Sequence, residues 1–265
     1  MRTNKFERLR PGEILAERER KSIVYLAFGP LEWHGPHLPF GTDPLAAYSL
    51  ALMLAEETGG VVMPPVYSGT ERECPRDMIA AFGIENPDQY VIGMDTQAVT
   101  VPSLYFREEA FAITLREYIR LLVKLQYKLI VLVNGHGAYN QIETVKRLAI
   151  EFSAETPSKV IDVFVVLSEE EGGIDPGHAT KLETSMVLSQ YPEDVDCSVY
   201  PPRDVPLKYK DYSIADDSVF QLKPSKDFTV EHDPRDATAE LGKSYFKKMV
   251  EKYSAQIEDE YRRLL

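Results

Sequence analysis

The chain has 265 residues, 44% hydrophobic and 27% charged, with 30 Lys and Arg against 42 Asp and Glu for a formal net charge of −12. That length allows a substantial core, and the acidity argues against a nucleic-acid backbone or an anionic membrane as the main partner. No apolar run approaches the ~18 residues of a membrane span, the start MRTNKFERLRPGE lacks a secretory apolar core, and two cysteines are too few for a disulfide framework. These features predict a cytoplasmic protein in which Cys74 and Cys197 are reduced and packed in the core.

In chain order, SIVYLAF (22–28) is a near-continuous apolar run rich in β-branched and aromatic residues, and predicts a buried strand. A helix follows Pro44, with Leu45, Tyr48, Leu52 and Ala55 at helical spacing, and stops at Gly59 and Gly60. VVMPPVY (61–67) reads as a strand that its prolines shorten or confine to an edge. Residues 68–105 are turn-rich and carry no readable element; they suit a lid or a subunit contact. A helix over 107–126 carries Phe111, Leu115, Ile119, Leu122 and Leu125 in one stripe. KLIVLVN (128–134) is the clearest strand, and the helix after it, 140–154, turns Ile142, Val145, Ala149 and Phe152 inward. KVIDVFVVL (159–167) is a strand, 181–190 a short helix, and 237–264 a last helix, apolar at Tyr245, Phe246, Met249, Val250, Tyr253 and Ile257. Alternation of this kind predicts an α/β fold, a mostly parallel sheet with helices on both faces.

Four of the five histidines lie in three segments that follow predicted strands: His34 with His37, His136, and His178. Ligands of open parallel sheets bind beyond the carboxyl ends of the strands, so these loops are expected to converge. In PLEWHGPHLPFGTDP (30–44), Glu32 and His34 are two residues apart, on one side of an extended chain and roughly 6.5 Å apart at Cα. The Gly and Pro residues after them can return Asp43 to the same spot, where a carboxylate can bridge two cations. Taken alone, Asp43 before Pro44 reads more simply as a helix N-cap. Glu, His and Asp together in so short a loop favour a metal.

VLVNGHGAYNQ (131–141) ends its strand in Asn134-Gly-His136-Gly, where the glycines permit a sharp turn and close approach. A tight turn with an incidental histidine explains that segment equally well, and the amides of Asn134 and Asn140 suit either loop orientation or substrate binding. DPGHATKLETS (175–185) sets His178 five residues before Glu183, and Thr180-x-x-Glu183 fits a capping box. No Gly-rich phosphate loop, G-x-S-x-G elbow or HExxH is present.

The segments GPLEWHGPHLPFGTD (29–43), NGHG (134–137) and HATKLETS (178–185) resemble the creatininase (creatinine amidohydrolase) family. DPRDATAELG (233–242) is similar to that family's C-terminal pattern, so the likeness spans roughly residues 20 to 250. The resemblance implies one hydrolase domain over residues 1–265, built as three α/β/α layers around a mostly parallel sheet. It implies two divalent metals per subunit, zinc or manganese with iron also admissible, and a homo-oligomer, often a hexamer of paired subunits. By position, Glu32, His34, Asp43 and His136 match metal ligands with Asp43 as the bridge, His178 matches a catalytic histidine, and Glu183 matches the acid of the third motif. Trp33, His37 and Asn134 are expected to contact substrate, His37 alternatively lying just behind the metal ligands.

Two departures from the family pattern matter. Creatininase has an acid two residues after the second-motif histidine; here that residue is Ala138, so Glu183 is expected to act as a ligand besides any catalytic use. The residue between Glu32 and His34 is usually glutamine; here it is Trp33, an indole that either stacks on a flat substrate ring or packs inward. The implied reaction is hydrolysis of a small cyclic amide, with water activated by the metals attacking a ring carbonyl and His178 or Glu183 protonating the leaving group. The departures argue against creatinine itself. The EWHGPH and NGHGA variants also resemble relatives that open an oxidised inositol ring (3-dehydro-scyllo-inosose type) by C–C hydrolysis, and loss of the acid at 138 suits a non-catalytic metal-binding homologue.

Overall fold

Every residue of β1 (Ile23–Gly29) is buried, because its side chains feed two apolar layers. Ile23, Tyr25 and Ala27 join one, and Val24, Leu26 and Phe28 the other. The computed structural model describes residues 2–96, 99–168, 170, 172–174, 176–207, 212, 214 and 232–265. Around β1 lie β2 (Val61–Val62), β3 (Val66–Tyr67), β4 (Leu129–Asn134) and β5 (Lys159–Phe164), in the order β2-β1-β4-β5 with β3 also paired to β1. All these pairs are parallel. The VVMPPVY run is therefore two short strands along one side of β1, parted where Pro64 and Pro65 have no N–H to donate.

The helices are α1 (Pro11–Arg20), α2 (Thr42–Thr58), α3 (Arg76–Ala81), α4 (Glu108–Lys124), α5 (Tyr139–Glu155), α6 (Lys181–Gln190) and α7 (Ala239–Arg262). The layer of Tyr25 takes α2, α6 and α7, through Leu50, Leu54, Met186, Tyr245, Phe246 and Met249. The layer of Leu26 takes α4 and α5, through Phe111, Leu115, Ile119, Val145 and Leu148. Helix α2 is buried on most sides, caught between the sheet and the pair α6 and α7, which suits its nearly all-round apolar surface. Helix α1 shows no apolar stripe in sequence; only Ile14 leans on the core. Leu125 falls just past α4 and is exposed, so that stripe ends one turn earlier than its spacing predicts.

Two features place the site. The strands are in register at their carboxyl ends, Phe28 beside Asn134 and Asn134 beside Phe164, so the loops after β1, β4 and β5 leave at one level. Residues 68–106 then fold over that end, carrying α3 and a small apolar cluster of Cys74, Ile79, Phe82, Ile84 and Val91. They are pinned there by Leu104 N–H donating to Leu31 O (2.7 Å), and their two ends are joined by Phe106 N–H donating to Gly69 O (2.8 Å). Cys74 is core, but Cys197 is exposed: it opens a one-turn 3-10 helix (Cys197–Val199) with no buried residue. Among the described residues, no helix is long and apolar enough to cross a membrane.

Gly242 explains the pattern near residue 242. A Cβ there would stand 2.0 Å from Ser185 O, so only glycine lets α7 press against α6. Gly242→Ala should destabilise the chain by about 1–3 kcal/mol in urea unfolding, the usual range for overpacking; unchanged stability would show that these helices can part freely.

Candidate metal centre

Asp43 lies in the first turn of α2, whose N-cap is Gly41, and it does not act as the cap. Its carboxylate points into the protein, 4% exposed, at the helix end that favours an anion. One oxygen, Oδ1, is 3.1 Å from His34 Nε2; the other, Oδ2, is 2.8 Å from His136 Nδ1. Glu32 and His34, each 1% exposed, reach this point from the β1 loop, which is closed by Glu32 N–H donating to Phe40 O (2.9 Å). Glu32 Oε2 lies 3.1 Å from His136 Nδ1 and 3.7 Å from His34 Nε2. His136 arrives from β4 because Gly135 clears the way: a Cβ there would meet Asp43 O at 2.2 Å.

Helix α6 supplies Glu183, whose Oε2 is 3.9 Å from His34 Nε2. The capping box does not form. Glu183 Oε2 accepts from Ala179 N–H (2.5 Å), one residue further back than a box requires, while Thr180 Oγ1 turns to Pro176 O. His178 lies against His34, ring centroids 4.3 Å apart, with Nε2 2.8 Å from Trp33 O.

The substrate-contact expectations fare differently. Trp33 packs inward at 9% exposure, its indole edge-on to Phe40, so the backbone rather than the ring serves the site. Asn134 works within its own loop: Oδ1 accepts from His136 N–H (3.1 Å) and Gln141 Nε2 (2.7 Å), and Nδ2 donates to His136 O (2.9 Å). His37 is buried behind the cluster, with Nε2 3.0 Å from Thr184 Oγ1 and its ring beside Tyr200. Two residues of the turn-rich stretch 68–105 belong here as well. Tyr105 Oη donates to Glu32 Oε1 (2.5 Å), and Glu71 Oε2 lies 3.8 Å from His136 Nε2. No short-range pattern in the sequence marks either.

These donors suit divalent cations. His34 Nδ1 lies 3.1 Å from Glu32 O, so its N–H belongs there and the Nε2 lone pair faces carboxylate oxygens. That Nε2 is buried and makes no hydrogen bond among the described residues. A lone pair among buried carboxylates is repulsive unless a proton or a cation lies between them. Among the described residues, three groups of ligand atoms lie close enough to share an ion: Glu32 with Asp43 and His136, His34 with Asp43 and Glu183, and Glu32 with His34 and His178. The first two share Asp43.

A family model described as creatininase, creatinine amidohydrolase, matches residues 7–257. The chain belongs to the creatininase family. A solved creatininase described as "Creatininase Mn" is 20% identical, covers 98% of this chain and 99% of its own, and has a TM-score of 0.67. A mutant creatininase of "Zn-Zn type" is 20% identical with the same coverage and a TM-score of 0.65. A putative creatinine amidohydrolase from Bacteroides fragilis NCTC 9343 is 20% identical over 98% of both chains, with a TM-score of 0.67. Likeness at this level shows the creatininase fold. No curated protein matches the chain at a significant level.

Without metal, protons must supply the positive charge. Burial disfavours a charged His34, yet Asp43, Glu183 and Glu32 outweigh it and raise its pKa to about 10. Burial likewise opposes charge on His136, and Glu32 and Asp43 hold it well above the ordinary value. Burial alone would raise Glu32 and Asp43, but the facing imidazoles lower both. Burial pushes Glu183 up to about 8 against the pull of His34, with Asp43 adding to the rise. Burial, then His34, takes His178 down to about 3. Near pH 7 the metal-free cluster therefore carries protons that ligation must displace. Metal loading should release about two or three protons per chain, read as an enthalpy that varies with the buffer, and affinity should fall as pH falls. An enthalpy independent of the buffer would show that these groups are not the ligands.

Proposed function

We propose that this creatininase-family chain is a metal-dependent hydrolase of a small cyclic amide, working in the cytoplasm as a homo-oligomer, a hexamer by likeness to its family. The observation that carries this reading is the Asp43 carboxylate, with one oxygen on His34 and the other on His136, as a bridge between two ion sites requires. Two divalent ions, zinc or manganese as in the "Zn-Zn type" and "Creatininase Mn" relatives, fit these donors. Bound there, such ions lower the pKa of water and polarise a carbonyl oxygen.

The chain's own groups do the rest. Glu32, Asp43 and His136 would hold one ion, and His34, Asp43 and Glu183 would hold the other. Glu183 thereby takes the place of the acid missing at Ala138, and the ligand role suits it better than proton transfer. His178 suits proton transfer. With Nε2–H directed to Trp33 O, it leaves Nδ1 as the nitrogen that would relay a proton to the leaving nitrogen. Burial of Glu32, His34 and His136 excludes bulk water and strengthens each of these interactions.

The reading is tested by a screen of cyclic amides, creatinine among them, alongside cyclic ketones, scored by mass gain of one water. A ring-opened amide is the expected product. An opened cyclic ketone would move the assignment to C–C hydrolysis, and metal-loaded protein inert toward every ring would favour a binding homologue. His34→Ala should reduce hydrolysis to background while circular dichroism shows that the fold is kept. Activity surviving that change would contradict the mechanism.

A further inference from the structure

The two ion sites are not held in the same way. His34 and Glu183 are oriented by neighbours in their own loops, Glu32 O for His34 and Ala179 N–H for Glu183. Glu32 and His136 are oriented by the 68–106 segment, which lies far from both in sequence.

For Glu32, Tyr105 Oη ties up Oε1, leaving Oε2 to face the cluster 3.1 Å from His136 Nδ1. For His136, Nδ1 is the nitrogen turned toward the acids, so as a metal ligand it would bind through Nδ1 and keep its proton on Nε2. Nε2 is buried, has no hydrogen bond among the described residues, and looks toward Glu71 Oε2 at 3.8 Å. The other Glu71 oxygen accepts from Arg72 N–H at 2.8 Å, which turns Oε2 toward the imidazole. The same segment also braces the backbone beneath His136. Thr70 N–H donates to Gln141 Oε1 (2.8 Å), Gln141 Nε2 donates to Asn134 Oδ1 (2.7 Å), and that oxygen also accepts from His136 N–H.

We infer that Tyr105 and Glu71 are positioning residues for one ion only, the one held by Glu32, Asp43 and His136. This inference rests on the two-metal reading above. A carboxylate behind a ligating imidazole fixes its tautomer and raises its basicity, and a phenol on the outer oxygen of a ligating carboxylate fixes which oxygen is presented. Losing such a partner lowers metal affinity by about 10–100-fold. Thr70, Glu71 and Tyr105 therefore serve as the outer wall of one ion site.

The test is Mn²⁺ titration of metal-free wild type, Tyr105→Phe and Glu71→Ala against a chromophoric chelator, with His136→Ala marking which binding step belongs to which site. The expected result is two steps in wild type, a loss of about 10–100-fold at the His136-dependent step in Tyr105→Phe, and a smaller loss at that step in Glu71→Ala, whose carboxylate faces Nε2 at 3.8 Å without a hydrogen bond. The other step should stay within about two-fold, and Glu71→Gln, which keeps an acceptor but not the charge, should fall between Glu71→Ala and wild type. Urea midpoints separate this from unfolding, since a loosened fold weakens both steps. Equal weakening of both steps, or no change in either, would overturn the inference. Wild type that takes up fewer than two ions would instead remove the two-metal reading beneath it.

Discussion

A carboxylate buried between two imidazoles is the constraint around which the rest of this molecule is arranged. Asp43 has left water, and nothing apolar can compensate its charge. Its oxygens point in different directions, each toward a nitrogen delivered by a different loop. Either protons or cations must occupy the gaps. With Glu32 and Glu183 also present, the local charge is too negative for the imidazoles to remain neutral without metal, which is why His34 and His136 hold protons so firmly in its absence. The cluster is poised to exchange protons for divalent ions.

The fold meets this need through position rather than through many contacts. Parallel strands in register bring three loops to one level, and the start of a buried helix brings Asp43 with a favourable dipole. Gly135 lets the β4 loop touch that helix start, and Gly242 lets α7 hold α6, whose first turn carries Glu183. Close packing of α2 between the sheet and two helices keeps the bridge from tilting. Helices carry Asp43 and Glu183, short loops after β1 and β4 carry Glu32, His34 and His136, and Tyr105 and Glu71 stand behind Glu32 and His136.

Much of this was legible in the sequence because the signals were local. Continuous apolar runs marked β1 and β4, a helical stripe marked α4, and histidines just past predicted strands marked the convergence of loops. Other features were not legible. Glu183 shares its three-residue spacing to Thr180 with a capping box, and only the backbone at Ala179 shows where its oxygen goes. For Trp33 the sequence left stacking on a substrate and packing inward equally open, and the indole lies inward, edge-on to Phe40. Tyr105 and Glu71 act across long sequence separations from a segment with neither period, and such contacts leave no trace in spacing. Cys197 looked like an ordinary core thiol until a one-turn helix placed it at the surface.

The claim on which the account stands is that Asp43 bridges two ions, and anomalous diffraction from a crystal of the manganese-loaded protein tests it most directly. Two anomalous peaks are expected, about 3.5–4 Å apart, with one Asp43 oxygen on each. A single peak, or a pair in which Asp43 touches only one ion, would contradict it.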